Sequence, residues 1–124
     1  MTLVCGVAFA AFSAAHLIDE FVWGAPAEFH LSVTAAQMLA LAYMIALVGL
    51  VVMAASGSRA ALPGLVLGGL LIGVADIMKH GPEIAAPGPW RSGLVSGLLA
   101  LGLTVSALLT AIAAFRTWRR ARKG

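Results

Sequence analysis

The chain has 124 residues, of which 61% are hydrophobic and only 10% charged, far below the roughly one quarter charged that soluble domains carry. That balance excludes an ordinary soluble enzyme or binding module and predicts an all-α integral membrane four-helix bundle. The net charge of +3 does not indicate nucleic-acid binding, because Arg116, Arg119, Arg120, Arg122 and Lys123 follow an apolar span directly and suit anionic lipid headgroups.

The first span is expected at about 3–23. It has no positive charge before Leu3, so it reads as a retained helix and not as a secretory signal. Trp23-Gly24-Ala25-Pro26 ends it with an interfacial aromatic followed by helix-stopping residues. The lone Cys5 has no internal partner for a disulfide and reads as a small buried side chain.

A connection carrying Glu28 and His30 follows, and Thr34-Ala35-Ala36-Gln37 has the form of a capping box. The second span then runs over about 35–55, with Tyr43 expected to bond a neighbouring carbonyl. Ser56-Gly57-Ser58-Arg59 makes a polar turn, and Pro63 suits the first turn of the third span, about 62–80. Gly81-Pro82 is expected to stop that helix. The stretch 81–90, with Pro82, Pro87, Gly88 and Pro89, reads as an irregular external loop. The fourth span is expected at about 92–115, followed by a basic tail at 116–124.

Four spans of about 20 residues each cross a bilayer of about 30 Å and use most of the chain, so residues 1–124 form a single transmembrane domain running up-down-up-down. Positive charges orient it. Arg59 and the five tail residues lie on the side of the termini, against Lys79 and Arg91 on the other, which places both termini in the cytoplasm of what is expected to be a bacterial inner membrane. All five acids (Asp19, Glu20, Glu28, Asp76, Glu83) and all three histidines (His16, His30, His80) then fall in the outer half or beyond it.

Two of the spans carry polar stripes. At about 100° per residue, Phe9, Phe12, Ser13, His16, Glu20 and Trp23 share one face of the first, with Asp19 at its edge, and Gly69, Gly73, Asp76 and His80 share one face of the third. By residue rise, His16 lies level with Asp76, and Glu20 with His80 one turn higher. Isolated charges at that depth cost about 2.5–3.5 kcal/mol even on the lenient insertion scale, so the stripes are expected to meet.

Several chemistries fit two imidazoles and two carboxylates. His16, Glu20, Asp76 and His80 suit Zn, Fe or Mn, with Asp19, His30, Gln37 and Lys79 as secondary polar positions. A haem between His16 and His80 would use Phe9 and Phe12 as flanks and Gly69 and Gly73 for space. Without a metal, His16 and Asp76 form an acid/base pair for a lipid-soluble substrate, and with no ligand at all the four groups are structural ion pairs. Absence of polar residues from the inner half argues against a conducting path. Small residues four apart, Gly64 and Gly68, Gly69 and Gly73, Gly93 and Gly97, and Gly102, Ser106 and Thr110, predict close packing of the third and fourth spans. They also supply faces for a homo-oligomer or a larger membrane complex.

Overall fold

A computed structural model describes residues 1–86 and 93–123. Its elements are α1 (Thr2–Val22), α2 (Ala25–Glu28), α3 (Val33–Ala55), α4 (Ala61–Ala85) and α5 (Gly93–Ala121). α1, α3, α4 and α5 are each long and apolar enough to cross a membrane, so the chain is an all-helical, multi-pass membrane protein. Pro87, Gly88, Pro89, Trp90, Arg91 and Ser92 lie outside the described residues, so the expected loop there and the start of the fourth span at 92 fall outside too.

Local chemistry explains the helix ends. α1 closes at Trp23, and Gly24 (φ +82°) turns the chain in the left-handed region that side chains resist. α3 closes in a Schellman motif, with Ser58 N–H on Met53 O (2.9 Å) and Gly57 N–H on Ala54 O (3.1 Å).

Four boundary expectations need correction. α3 is capped by Ser32, whose hydroxyl accepts from Ala35 N–H at 3.1 Å, and not by a Thr34–Gln37 box. Ser32 leaves the turn at His30 (φ +54°) already extended, which is the backbone an N-cap needs. The connection after Trp23 contains a one-turn helix, α2, with Pro26 in its first turn. α4 continues through Gly81-Pro82 to Ala85, because proline's φ is helical and the cost falls on one hydrogen bond near the end. α5 continues to Ala121, since nothing between Phe115 and Ala121 breaks a helix and Arg119 and Arg120 in its last turn favour the negative end of the dipole.

α5 makes the most extensive seams, against α4 and α1, while α3 packs more sparsely on α1 and α4. α1 and α4 are therefore diagonal, as are α3 and α5. The close approach of α4 to α5 is written in glycine: a Cβ at Gly69 would strike the Ala107 carbonyl oxygen, and one at Gly73 would come within 2.8 Å of Leu108. Gly102 receives the ring of Phe12 from α1. The expected tight packing of these two helices is present at Gly69 and Gly73, whereas Gly64 meets Leu50 of α3 and nothing lies within 4 Å of a Cβ at Gly68 or Gly93.

α3 is seated at one end only. Its buried residues are Leu47 and Val51, which join Phe9, Leu62, Leu65, Leu103, Ala107 and Ala114 in the apolar core. Near that end Thr2 and Thr117 hydroxyls bond at 3.0 Å, and Arg59 donates to Ala121 O at 2.9 Å. The opposite, N-terminal half of α3 stands away from its neighbours and leaves a cavity of about 870 Å³ between α1, α3 and α4. The core is centred towards the end that seats α3 and reaches the floor of the cavity at Leu103.

Candidate metal centre

The two polar stripes meet across the interior. His16 and Asp76 are 7% exposed and His80 8%, a depth at which ionisable side chains need partners. His16 Nε2 lies 3.5 Å from Asp76 Oδ1 and 3.7 Å from Glu20 Oε1, while His80 Nε2 lies 3.6 Å from Glu20 Oε1 and 3.7 Å from Asp76 Oδ1. The four atoms form a closed ring alternating nitrogen and oxygen. The two imidazoles stand nearly perpendicular, their centroids 5.2 Å apart. Ligand atoms of His16, Asp76 and His80 all fall within 4.8 Å of one another, close enough to hold a metal ion.

Helix geometry produces this arrangement. His16 and Glu20 are four apart on α1, as are Asp76 and His80 on α4, so each pair lies on one side of its helix. Because α1 and α4 are diagonal, the facing side chains can converge on the axis without their backbones touching.

The surroundings hold the ligand atoms from behind. Thr104 of α5 donates its hydroxyl to Asp76 Oδ2, leaving Oδ1 turned towards the histidines. Lys79 pairs with Glu20 Oε2 and sits 5.5 Å from the centre of the Phe29 ring. Glu83 Oε2 lies 3.3 Å from His80 Nδ1, the carboxylate–imidazole contact that commonly orients a ligating histidine. That contact exists because α4 runs past Pro82. His16 Nδ1 is buried with no hydrogen-bond partner among the described residues.

His16, Glu20, Asp76 and Lys79 also line the cavity, whose inner end carries a hydrogen-bonded pair of hydroxyls, Ser13 and Tyr43, at 2.7 Å. Tyr43 therefore bonds a side chain and not the expected carbonyl. Asp19, His30 and Gln37 do not line it. His30 and Gln37 are exposed and Asp19 is half-buried. Trp23 and Phe12, grouped with His16 on the α1 stripe, turn away from the centre: Trp23 is 49% exposed, and Phe12 packs on Gly102.

A haem between the histidines does not suit this geometry. The space expected at Gly69 and Gly73 is filled by Ala107 and Leu108 of α5, Phe12 faces α5, and the carboxylates of Glu20 and Asp76 stand where the macrocycle would pass.

Sequence reasoning missed Thr104. A lone threonine in an apolar helix can equally bond its own backbone four residues back, as Thr110 does to Ser106 O at 2.7 Å, so only its placement against Asp76 distinguishes it. Replacing it with valine keeps the shape and removes the donor. For Thr104→Val we expect metal affinity to fall about 10–100-fold, the usual cost of losing a partner behind a ligand, with helicity unchanged, as measured by metal titration beside circular dichroism.

Compared with known protein families, curated proteins and solved structures, the chain has no significant match to any of them.

Proposed function

We propose that this protein binds a divalent transition-metal ion, with Zn²⁺ the best fit and Fe²⁺ or Mn²⁺ as neighbours in chemistry, through His16, Asp76 and His80, with Glu20 as the fourth ligand. The observation that carries this reading is the ring of separations at 3.5–3.7 Å. Each exceeds the ~2.7–3.2 Å of a nitrogen–oxygen hydrogen bond. Bonds of about 2.0–2.1 Å to a tetrahedral ion set neighbouring ligand atoms roughly 3.3–3.4 Å apart, so each of these histidine–carboxylate separations needs to contract by only a few tenths of an ångström. Mixed imidazole and carboxylate donors suit these ions.

The positive-inside rule gives the orientation we adopt: both termini in the cytoplasm of a bacterial inner membrane, with the metal site in the outer half. An ion would then arrive from the extracytoplasmic side, where Lys79 and Glu83 stand. Purified protein is expected to contain about one equivalent of metal by elemental analysis, or to take one up on titration with Zn²⁺. Protein that neither carries nor binds the ion would defeat the assignment.

One observation favours a second reading, in which the same residues are structural ion pairs: the direct pairing of Lys79 with Glu20. Lys79→Met separates the two readings. If the pair only secures the bundle, the variant melts at a lower temperature with or without Zn²⁺, because Glu20 is left unpaired in a low-dielectric site. If Glu20 is a ligand, removing the competing ammonium widens the gap between the melting temperatures of metal-free and Zn²⁺-loaded protein.

A further inference from the structure

We infer that the cavity beside the histidine–carboxylate ring binds an uncharged single-chain lipophile, such as a long-chain alcohol or ketone, whose oxygen atom reaches the open side of the metal. This inference rests on the metal reading given above.

The cavity's volume, about 870 Å³, lies in the upper part of the range for small-molecule sites and is enough for one hydrocarbon chain. Its entrance points to the source of the ligand. Leu39 on α3 and Met78 on α4 line it, yet are 59% and 74% exposed on the bundle's lipid-facing flank. On the other side, buried Ala25 and Pro26 of α2 cover it, beside the Phe29 ring, which is itself 59% exposed and lies near Lys79. A ligand entering between α3 and α4 therefore comes from hydrocarbon. Open space at that depth is also a consequence of how α3 packs, seated by Leu47 and Val51 and splayed above them.

Charge selects the headgroup. Ligating imidazoles are neutral, so Glu20, Asp76 and Glu83 together offset Lys79 and a divalent ion, and the centre carries no net charge. A carboxylate or ammonium headgroup would add an unbalanced charge at a depth where hydrocarbon makes that costly. A neutral oxygen adds none and is a good ligand for the ion. Lys79 holds Glu20 Oε2 and competes with the ion for that carboxylate, so of the four ligands Glu20 is the one a neutral oxygen displaces, leaving His16, Asp76 and His80 as in an open site.

The test uses the full chain in lipid nanodiscs, loaded with Co²⁺ so that its visible absorption reports the coordination sphere. Hexadecanol is expected to change the Co²⁺ spectrum saturably, and hexadecanoate is not. Ala40→Phe, which fills the cavity from α3 away from the metal, is expected to bind Co²⁺ as the native chain does and to need about tenfold more hexadecanol, a change of about 1.4 kcal/mol. An equal response to hexadecanoate overturns the charge argument, and no response to either ligand in Co²⁺-loaded protein overturns the proposal. Should no Co²⁺ bind, the metal reading fails, and a hexadecanol carrying a diazirine decides the cavity separately. Crosslinks near Ala40 that unlabelled hexadecanol competes away uphold a lipophile site. Crosslinks spread without competition over lipid-facing residues such as Ile45 and Leu101 reject it.

Discussion

His16→Ala and His80→Ala are each expected to abolish stoichiometric metal binding while leaving four inserted helices. Each imidazole contributes one corner of a ring whose members are 3.5–3.7 Å apart, and the other three groups cannot move to replace it because they sit on separate turns of two diagonal helices. The loss should exceed the roughly 10–100-fold expected when only a supporting partner is removed, so Thr104→Val provides an internal scale. The folded state should survive, since the core residues Leu47, Val51, Leu62 and Leu65 that seat α3 and α4 do not line the cavity beside the site. Equilibrium dialysis with Zn²⁺ and helical content by circular dichroism measure the two effects separately. Retention of one equivalent of metal in both variants would reject the ligand assignment, whatever the state of the fold.

The second large effect belongs to packing. Gly69→Val is expected to prevent assembly of the bundle or to lower its melting temperature sharply, because even the first added carbon collides with the Ala107 carbonyl and lies 3.1 Å from Ala111 Cβ. Backbone on a facing helix cannot swing aside as a side chain can. Overpacking a closed core typically costs about 1–3 kcal/mol, occasionally more, and the cost here falls on the most extensive seam of the molecule. Gly68→Ala is the matched control: nothing lies within 4 Å of a Cβ there, and alanine is worth about 0.5–1 kcal/mol over glycine in a helix. Thermal unfolding of both variants in the same detergent is the comparison. Equal stability of Gly69→Val and the native chain would contradict the described approach of α4 to α5.

The proposed metal site and the packing are linked through α5. Gly69 and Gly73 bring α4 against α5, and that approach puts Thr104 within reach of Asp76. A weaker version of the same lesion, Gly73→Ala, crowds only the movable Leu108 side chain at 2.8 Å, with Ala107 Cβ in ordinary contact at 3.7 Å. It should therefore report on the site more than on the fold, through metal affinity at nearly native melting temperature.

How much of this was legible beforehand varies by residue. Membrane residence was plain from composition, and the main spans from stretches of about 20 apolar residues. His16, Glu20, Asp76 and His80 were legible as a set because helical periodicity gathers each pair on a face and because hydrocarbon leaves buried ionisable groups no partner but each other. The helix ends at Ser32, Ala85 and Ala121 were not. Two capping residues stood two positions apart, a proline was tolerated in a final turn, and a basic segment continued as helix, each a choice between alternatives of similar energy.

What the amino-acid order determined by itself is therefore a set of apolar helices with complementary polar stripes, since hydrophobic transfer and helical period act on each segment without reference to the others. Diagonal placement of α1 and α4, the splay of α3 that opens a cavity beside Asp76, the hold of Thr104 on that carboxylate and the loss of Phe12 from the site were decided only when the helices packed. Those features depend on which small residues allow two backbones to touch and on what side chains then remain facing the gap. That is a property of pairs of helices and is written in none of them singly.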